Sequence, residues 1–441
     1  MQLKNIKGQM SLAACALLQV TSPTVQAEDN EWDVDTAVLL YSEGDGRVSA
    51  FEPAIYAGRD LEDGDRIDLR LVVDALTGAS PNGAHASSVA QTFTTPSGKG
   101  SYTTKAGDTP LDDTFRDTRV ALGADWTMEL DRLSKLTLGA NFSKEFDYTS
   151  LGISASYAKD FNNRNTTLTT GFAFNSDTIN PVGDIPSELM PMMREGFSQN
   201  REGDNDTKVI TDFLVGITQV VDRKTIVQLN YSLGITDGYQ NDPFKIVTVI
   251  DPVTGLPATG GIFDTGVTGN LPGVTGNLPY VYEKRPDSRQ KNNLYFKVVR
   301  HLEEDVINFS YRYYWDDWDI NSHTFDFKYR YQMANSYLQP HFRYYMQSAA
   351  EFHIHNLELG SEVDQVTGEV LVDYASNDYR LAESETLTLG VKYGMPIGDN
   401  SELSMRAEII SQTVTDDNVP AGEETPDLDA VIVQVNYSFV W

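Results

Sequence analysis

Period-two alternation runs through most of this chain and restricts its fold more than any other feature. In "AVIVQVNYSFVW", Val431, Val433, Val435, Tyr437, Phe439 and Trp441 share one face of an extended segment, and Gln434, Asn436 and Ser438 share the other. "KLTLGANFSKEF" sets Leu136, Leu138, Ala140, Phe142 and Phe146 against Thr137, Gly139, Asn141, Ser143 and Glu145. "TIVQLNYSLGI", "VINFSYRYYWD" and "TFDFKYRYQM" repeat the pattern around Tyr231, Tyr311 and Phe327. Such ladders predict half-buried strands, as found both in a soluble sandwich and in a barrel whose apolar face meets lipid. No run of about 18 apolar residues follows Val20, so no membrane-spanning helix is predicted.

The connections separate the two folds. Seven short polar turns recur, near Asp63, Asp131, Asn163, Asp222, Glu303, Asn335 and Asp399. Between them lie five long connections, roughly 75–115, 176–208, 237–289, 349–378 and 415–428. Structureless loops longer than about 15 residues are uncommon in a compact soluble domain. Short turns at one end and long loops at the other fit a membrane barrel. Strands are expected to begin near Trp32, Arg47, Arg66, Thr118, Lys135, Leu151, Thr167, Val209, Thr225, Asn292, Val306, His323, Tyr337, Glu385, Glu402 and Val431. This predicts an all-β fold, a transmembrane antiparallel β-barrel of about sixteen strands with long extracellular loops and short periplasmic turns. The seven-residue duplication "GVTGNLPGVTGNLP" at Gly266–Pro279 falls in the third long loop, where slippage is tolerated.

The N-terminal segment supplies the compartment. Lys4 and Lys7 precede a short apolar run from Met10 to Val20, and Val25 and Ala27 have the spacing of a signal-peptidase site. Residues 1–27 are therefore expected to be a secretory signal and 28–441 a single outer-membrane barrel of a Gram-negative bacterium. "LAAC" at Leu12–Cys15 is the competing lipoprotein-like pattern, with too short an apolar core before it. Cleavage after Ala27 removes the single cysteine, and with it disulfide, Cys-metal and Cys-nucleophile chemistry. It also removes two lysines and no acid, taking the net charge from −30 to −32 and excluding a nucleic-acid-binding surface. Hydrophobic residues at 40% and aromatics at 10% exclude a solvated acidic tail.

The inward face carries the candidate site. Alternation directs Lys297, Arg312, Lys328, Arg330, His341 and Arg343, from four consecutive strands, into the lumen as a basic stripe. The strands from Leu136 to Phe174 offer the lumen mostly Gly, Ala, Ser and Thr. The stripe has two readings: a constriction whose basic residues face loop acids and select solutes, or a set in which Arg312, Asp316, Asp326 and Arg330 pair across strands and fill the barrel. "WDDWDINSH" places Asp317, Asp319 and Asn321 at calcium-loop spacing, but Ser322 replaces the turn glycine and Lys328 the bidentate glutamate. A tight acidic tip is expected instead, with Trp315 and Trp318 at the membrane interface. Glu351, His353 and His355 are weak metal candidates on a loop, so no metal or other cofactor is assigned. Ser322 and His323 are neighbours on a strand and point to opposite faces, so they do not pair as nucleophile and base, and no enzyme is predicted.

"VVDALTGASPNGA" at Val72–Ala84, "YEKRPDSR" at Tyr282–Arg289 and "SYRYYWDDWDINSHT" at Ser310–Thr324 resemble an uncharacterised Gram-negative family, domain of unknown function 3570. The resemblance implies an outer-membrane protein without assigned activity, with genes often beside those of a thioredoxin-like protein and a flavin transferase. It carries over no site residues. Two functions follow as expectations. One is a porin-like channel for small solutes, favoured by the polar lumen face. The other, implied by the family neighbourhood, is a non-conducting barrel acting as surface scaffold or partner of an exported redox system. The expected partners are outer-membrane lipid, the barrel assembly machinery and, for the second function, a periplasmic or surface protein.

Tyr437, Phe439 and Trp441 also resemble the C-terminal sorting signal read by that assembly machinery. Deleting Trp441 is therefore expected to lower the yield of heat-modifiable barrel more than truncating one long loop does, measured by semi-native gel mobility. Equal yields would contradict this reading.

Overall fold

The computed structural model describes residues 31–441 except 45–46, 63, 80, 88–89, 95–100, 113–114, 195–196, 261, 264–275 and 416–426. The signal segment and most of the duplicated stretch lie outside the described residues. The first strands are β1 (Trp32–Glu43), β2 (Ser49–Asp60), β3 (Arg66–Gly78), β4 (Gln91–Thr94), β5 (Ser101–Thr104) and β6 (Phe115–Asp131). They are followed by β7 (Ser134–Lys144), β8 (Tyr148–Phe161), β9 (Thr166–Ile179), β10 (Pro191–Met193), β11 (Asp206–Asp222) and β12 (Thr225–Gly238). Next come β13 (Ile246–Ile250), β14 (Asn277–Tyr282), β15 (Ser288–His301), β16 (Val306–Asp316) and β17 (Asn321–Met333). The last are β18 (Ser336–Gln347), β19 (Asn356–Glu358), β20 (Ser384–Pro396), β21 (Ser401–Val414) and β22 (Leu428–Val440).

Sixteen of these, in the order β1-β2-β3-β6-β7-β8-β9-β11-β12-β15-β16-β17-β18-β20-β21-β22, form a closed antiparallel barrel. Strand β22 closes it on β1, pairing Val38 with Val435 outward and Leu39 with Gln434 inward. Backbone bonds between Trp32 and Trp441 finish the seam, at 2.8 Å from Trp32 N to Trp441 O and 2.9 Å in return. The alternation explains the faces. Leu151 and Ile153 are 62% and 58% exposed on the outside, while Gly152 between them is buried on the inside. Exposed apolar side chains on successive strands form the belt that a bilayer would cover, and every barrel strand is paired on both edges, as hydrocarbon requires.

All seven expected short turns connect barrel strands at one end, at 61–65, 132–133, 162–165, 223–224, 302–305, 334–335 and 397–400. The turn after β8 uses three successive left-handed residues, Asn162, Asn163 and Arg164, at φ 50°, 55° and 66°. Asparagine tolerates that region best, which accounts for the "NN" there. The five long connections all leave the opposite end.

These loops are not the structureless segments that their length implied. Strands β10, β14, β13 and β19, drawn from three different loops, form a four-stranded sheet, with β13 and β19 parallel. One apolar core packs Val247, Val249 and Val281 on Leu357, Val363 and Ala375. A second packs Phe93 and Tyr102, from the β4–β5 hairpin, on Met192, Ile246 and Tyr280. Four long loops thus build one lid.

The barrel wall from β7 to β9 has small inward residues for a steric reason. Asn141 Nδ2 donates to Asn175 Oδ1 at 3.2 Å across Gly152, and a Cβ at 152 would collide with both amides. Gly152→Val should displace the amide pair and lower stability by about 1–3 kcal/mol, read as a lower temperature of heat modification. An unchanged midpoint would show that the wall has room to spare.

Candidate functional site

The six basic residues predicted for the lumen lie on β15 to β18, which are consecutive in the barrel. They do not form a continuous run of positive charge facing loop acids. Asp326, inward on β17, holds three of them: Lys328 at 3.4 Å, His341 at 2.9 Å and Arg343 at 3.0 Å. His341 Nδ1 also contacts Glu408 Oε1 of β21 at 2.8 Å. A ring donating from both nitrogens to carboxylates is an imidazolium. Arg330 lies 3.7 Å over the ring of Tyr337, and Lys297 is buried opposite Ser310.

Arg312 is different. Among the described residues it forms no ion pair, and its Nε is buried without a hydrogen-bond partner. Asp316, four residues along the same strand, is bound instead by Arg289 Nε at 2.8 Å. The expected Arg312–Asp316–Asp326–Arg330 set is therefore not the pairing found. Sequence parity gives the face of each residue but not its height along the barrel or its reach. Asp316 Oδ1 also accepts the backbone N–H groups of Trp318 and Ile320, each at 3.0 Å, which winds the acidic tip into a tight turn. Trp315 stays on the outer face, stacked on Tyr313. Trp318 is 4% exposed, between Arg289 and Phe352, so it is not at the membrane interface as expected.

Two charged groups that sequence reading did not single out tie the loops of the lid to one another. Asp378, fully buried, binds Arg285 at 2.8 Å, Lys245 at 3.8 Å and Arg380 in a fork. Burial alone would raise the Asp378 carboxyl, but Arg380, Lys245 and Arg285 together hold it well below the usual range. Glu283, beside Arg285, is raised by burial and by repulsion from Asp378 and Asp242, with Arg285 opposing. The sequence signal for this cluster was the charge density of "YEKRPDSR", where Glu283, Arg285 and Arg289 lie within seven residues of one another.

The remaining candidates are placed plainly. His353 and His355 sit edge to face with ring centres 5.3 Å apart, and His85 Nε2 meets the His355 carbonyl at 3.1 Å. Glu351 is exposed, and among the described residues no three His, Cys, Asp or Glu side chains converge as a metal site. Ser322 is buried on the inner face, whereas His323, on the outer, shares a 2.8 Å hydrogen bond with the Tyr311 hydroxyl. Tyr437 and Phe439 stack at 5.2 Å on the outer face, and Trp441 is 80% exposed.

The family model described as "Protein of unknown function (DUF3570)" matches residues 7–439. No curated protein matches the sequence. Among solved structures, a bacterial polysaccharide outer membrane secretin is similar at 8% identity and TM-score 0.44, over 94% of this chain and 100% of that one. OccK5 (OpdH) of Pseudomonas aeruginosa is similar at 8% identity and TM-score 0.39, over 94% and 98%. The outer membrane protein opdK of the same organism has 9% identity and TM-score 0.37, over 94% and 100%. No residue role is taken from them.

The barrel mouth gives a pH prediction. Asp147, in the connection between β7 and β8, is pushed up to about 7, first by burial and then by Asp117 and Glu145. Between the unfolded value near 4 and about 7, the folded chain keeps a proton that the unfolded chain has lost, so this group's contribution to stability falls as pH rises. Asp147→Asn should therefore gain melting temperature over the parent progressively from pH 4 to pH 8. A pH-independent difference would contradict the assignment.

Proposed function

The chain belongs to the family described as "Protein of unknown function (DUF3570)", and since that membership assigns no activity, we propose from geometry that it is an outer-membrane channel for small solutes. In this reading the short turns face the periplasm, and the lid of long loops narrows the outer mouth. One observation carries it: inward-facing side chains at mid-barrel border open space. Tyr56 is 37% exposed although it points inward on β2, and the side chains of Lys328 and Arg343 are 33% and 42% exposed. In a barrel filled by its own side chains these groups would be buried.

The charged wall then serves two ends. Ion pairs to Asp326 and Glu408 fix the side chains along the wall, and their exposed flanks set the field that a passing ion meets. The opposite wall, with Gly139, Gly152 and small hydroxyl residues, leaves the width. A second reading has its own observation: the lid holds two apolar cores and a buried ion cluster, as a permanent closure would. On that reading the barrel is a non-conducting surface scaffold, and a periplasmic or surface protein is its natural partner.

The test is selectivity. Lys328→Gln with Arg343→Gln removes two lumen cations while His341 still holds Asp326. In planar bilayers under a salt gradient the double variant should shift the reversal potential toward cations. An unchanged reversal potential, with the barrel still folded, would contradict a conducting path along this wall.

A further inference from the structure

Under the lid, against the β11–β18 side of the wall, lies a cavity of about 140 Å³. Six cations line it: Lys208 of β11, Arg289 and Lys291 of β15, Arg312 of β16, and Arg285 and Arg380 of the lid. Among the described residues Asp378 is the one carboxylate in the lining, and it is already shared by Arg285, Arg380 and Lys245. Other acids stand behind the cations without lining the space. Asp177 lies 3.9 Å from Lys208, Glu283 2.8 Å from Arg285, Asp242 2.9 Å from Arg380, and Asp316 2.8 Å from Arg289 Nε. Asp212 acts on Lys291 across one strand.

Arg312 has no such counter-ion. Asp326, the acid that acts on it, is taken by Lys328, His341 and Arg343, and Arg343 repels it. The Arg312 side chain lines the cavity, and a bound oxyanion would give its guanidinium a charge-assisted acceptor there. Part of the lining is apolar: Trp318, Ile320 and Leu381 belong to one buried cluster, with Arg289 lying over the face of Trp318. The hydroxyls of Tyr314 and Tyr345 donate to Asp316 and Gln347 respectively, so they are turned toward the protein rather than toward an incoming anion. A bare inorganic ion would satisfy Arg312 and leave the apolar part empty. The volume is close to that of cavities that hold a benzene ring, about 150 Å³.

We propose that this cavity binds a small organic anion, a carboxylate on an apolar body of roughly six to eight carbon atoms, with the carboxylate on Arg312 and the body against Trp318, Ile320 and Leu381. The proposal deepens the channel reading by giving the class of solute retained under the lid. Its test reads binding, not current, so either can fail without the other.

The experiment is isothermal titration calorimetry on the full-length folded barrel in detergent, with benzoate, its neutral isostere benzamide, and inorganic phosphate as probes. Benzoate should bind saturably, with benzamide and phosphate at least about tenfold weaker, and Arg312→Gln should weaken benzoate about tenfold, the scale of losing one charge-assisted hydrogen bond. Equal binding of benzoate and benzamide would overturn the role of the cations. Phosphate binding as tightly as benzoate would overturn the role of the apolar part, and an unaltered benzoate affinity in Arg312→Gln would overturn the placement. If that variant does not fold, the comparison of benzoate with benzamide on the parent protein decides.

Discussion

Everything in this structure depends on the pairing of β22 with β1. In hydrocarbon an unpaired backbone N–H or C=O costs several kcal/mol, so an open sheet edge has no place there. The register from Asp33–Val440 to Glu43–Ala430 removes that edge. Once the sheet is closed, alternation has one consequence at every position: a residue faces lipid or it faces the lumen. The apolar ladder goes outward, and a strongly acidic chain must place charged residues of its strands inside or at the ends.

The lumen manages its charges by uneven pairing. Asp326 and Glu408 gather Lys328, His341 and Arg343 into one network, Asp316 is given to Arg289, and Asp378 clamps the lid through Arg285 and Arg380. Buried pairs of this kind stabilise little compared with apolar packing, but breaking one leaves an uncompensated charge. They fix geometry, and among the described residues Arg312 lines the cavity under the lid without an ion pair. The barrel strands and the lid each supply acids to their own cations, Asp326, Glu408 and Asp316 in the wall and Asp378 in the lid.

Strand identities were legible in the sequence because period two and short turns are local signals. Tyr231, Tyr311 and Phe327 could be assigned outward from their neighbours alone. The lid was not legible, because its sheet joins Thr248 to Asn356 and Met193 to Asn277, partners set by three loops and not by any local pattern. The run "KIVTVI" at 245–250, buried on both faces, was its one trace. Trp318 was misplaced for a similar reason: tryptophan near a strand end usually marks an interface, but Arg289 and Phe352 from other elements enclose this one. Lumen residues were assigned the right face without the right partners, since alternation fixes direction and leaves reach and height open.

The central claim is that a water-filled path crosses the barrel beside the charged wall despite the lid. Single-channel recording of the unmodified, folded protein in planar bilayers tests it most directly. The account predicts discrete, stable current steps that carry anions in preference to cations. Silence from protein shown to be folded by its heat-modifiable mobility would contradict it and leave the lid as a permanent closure.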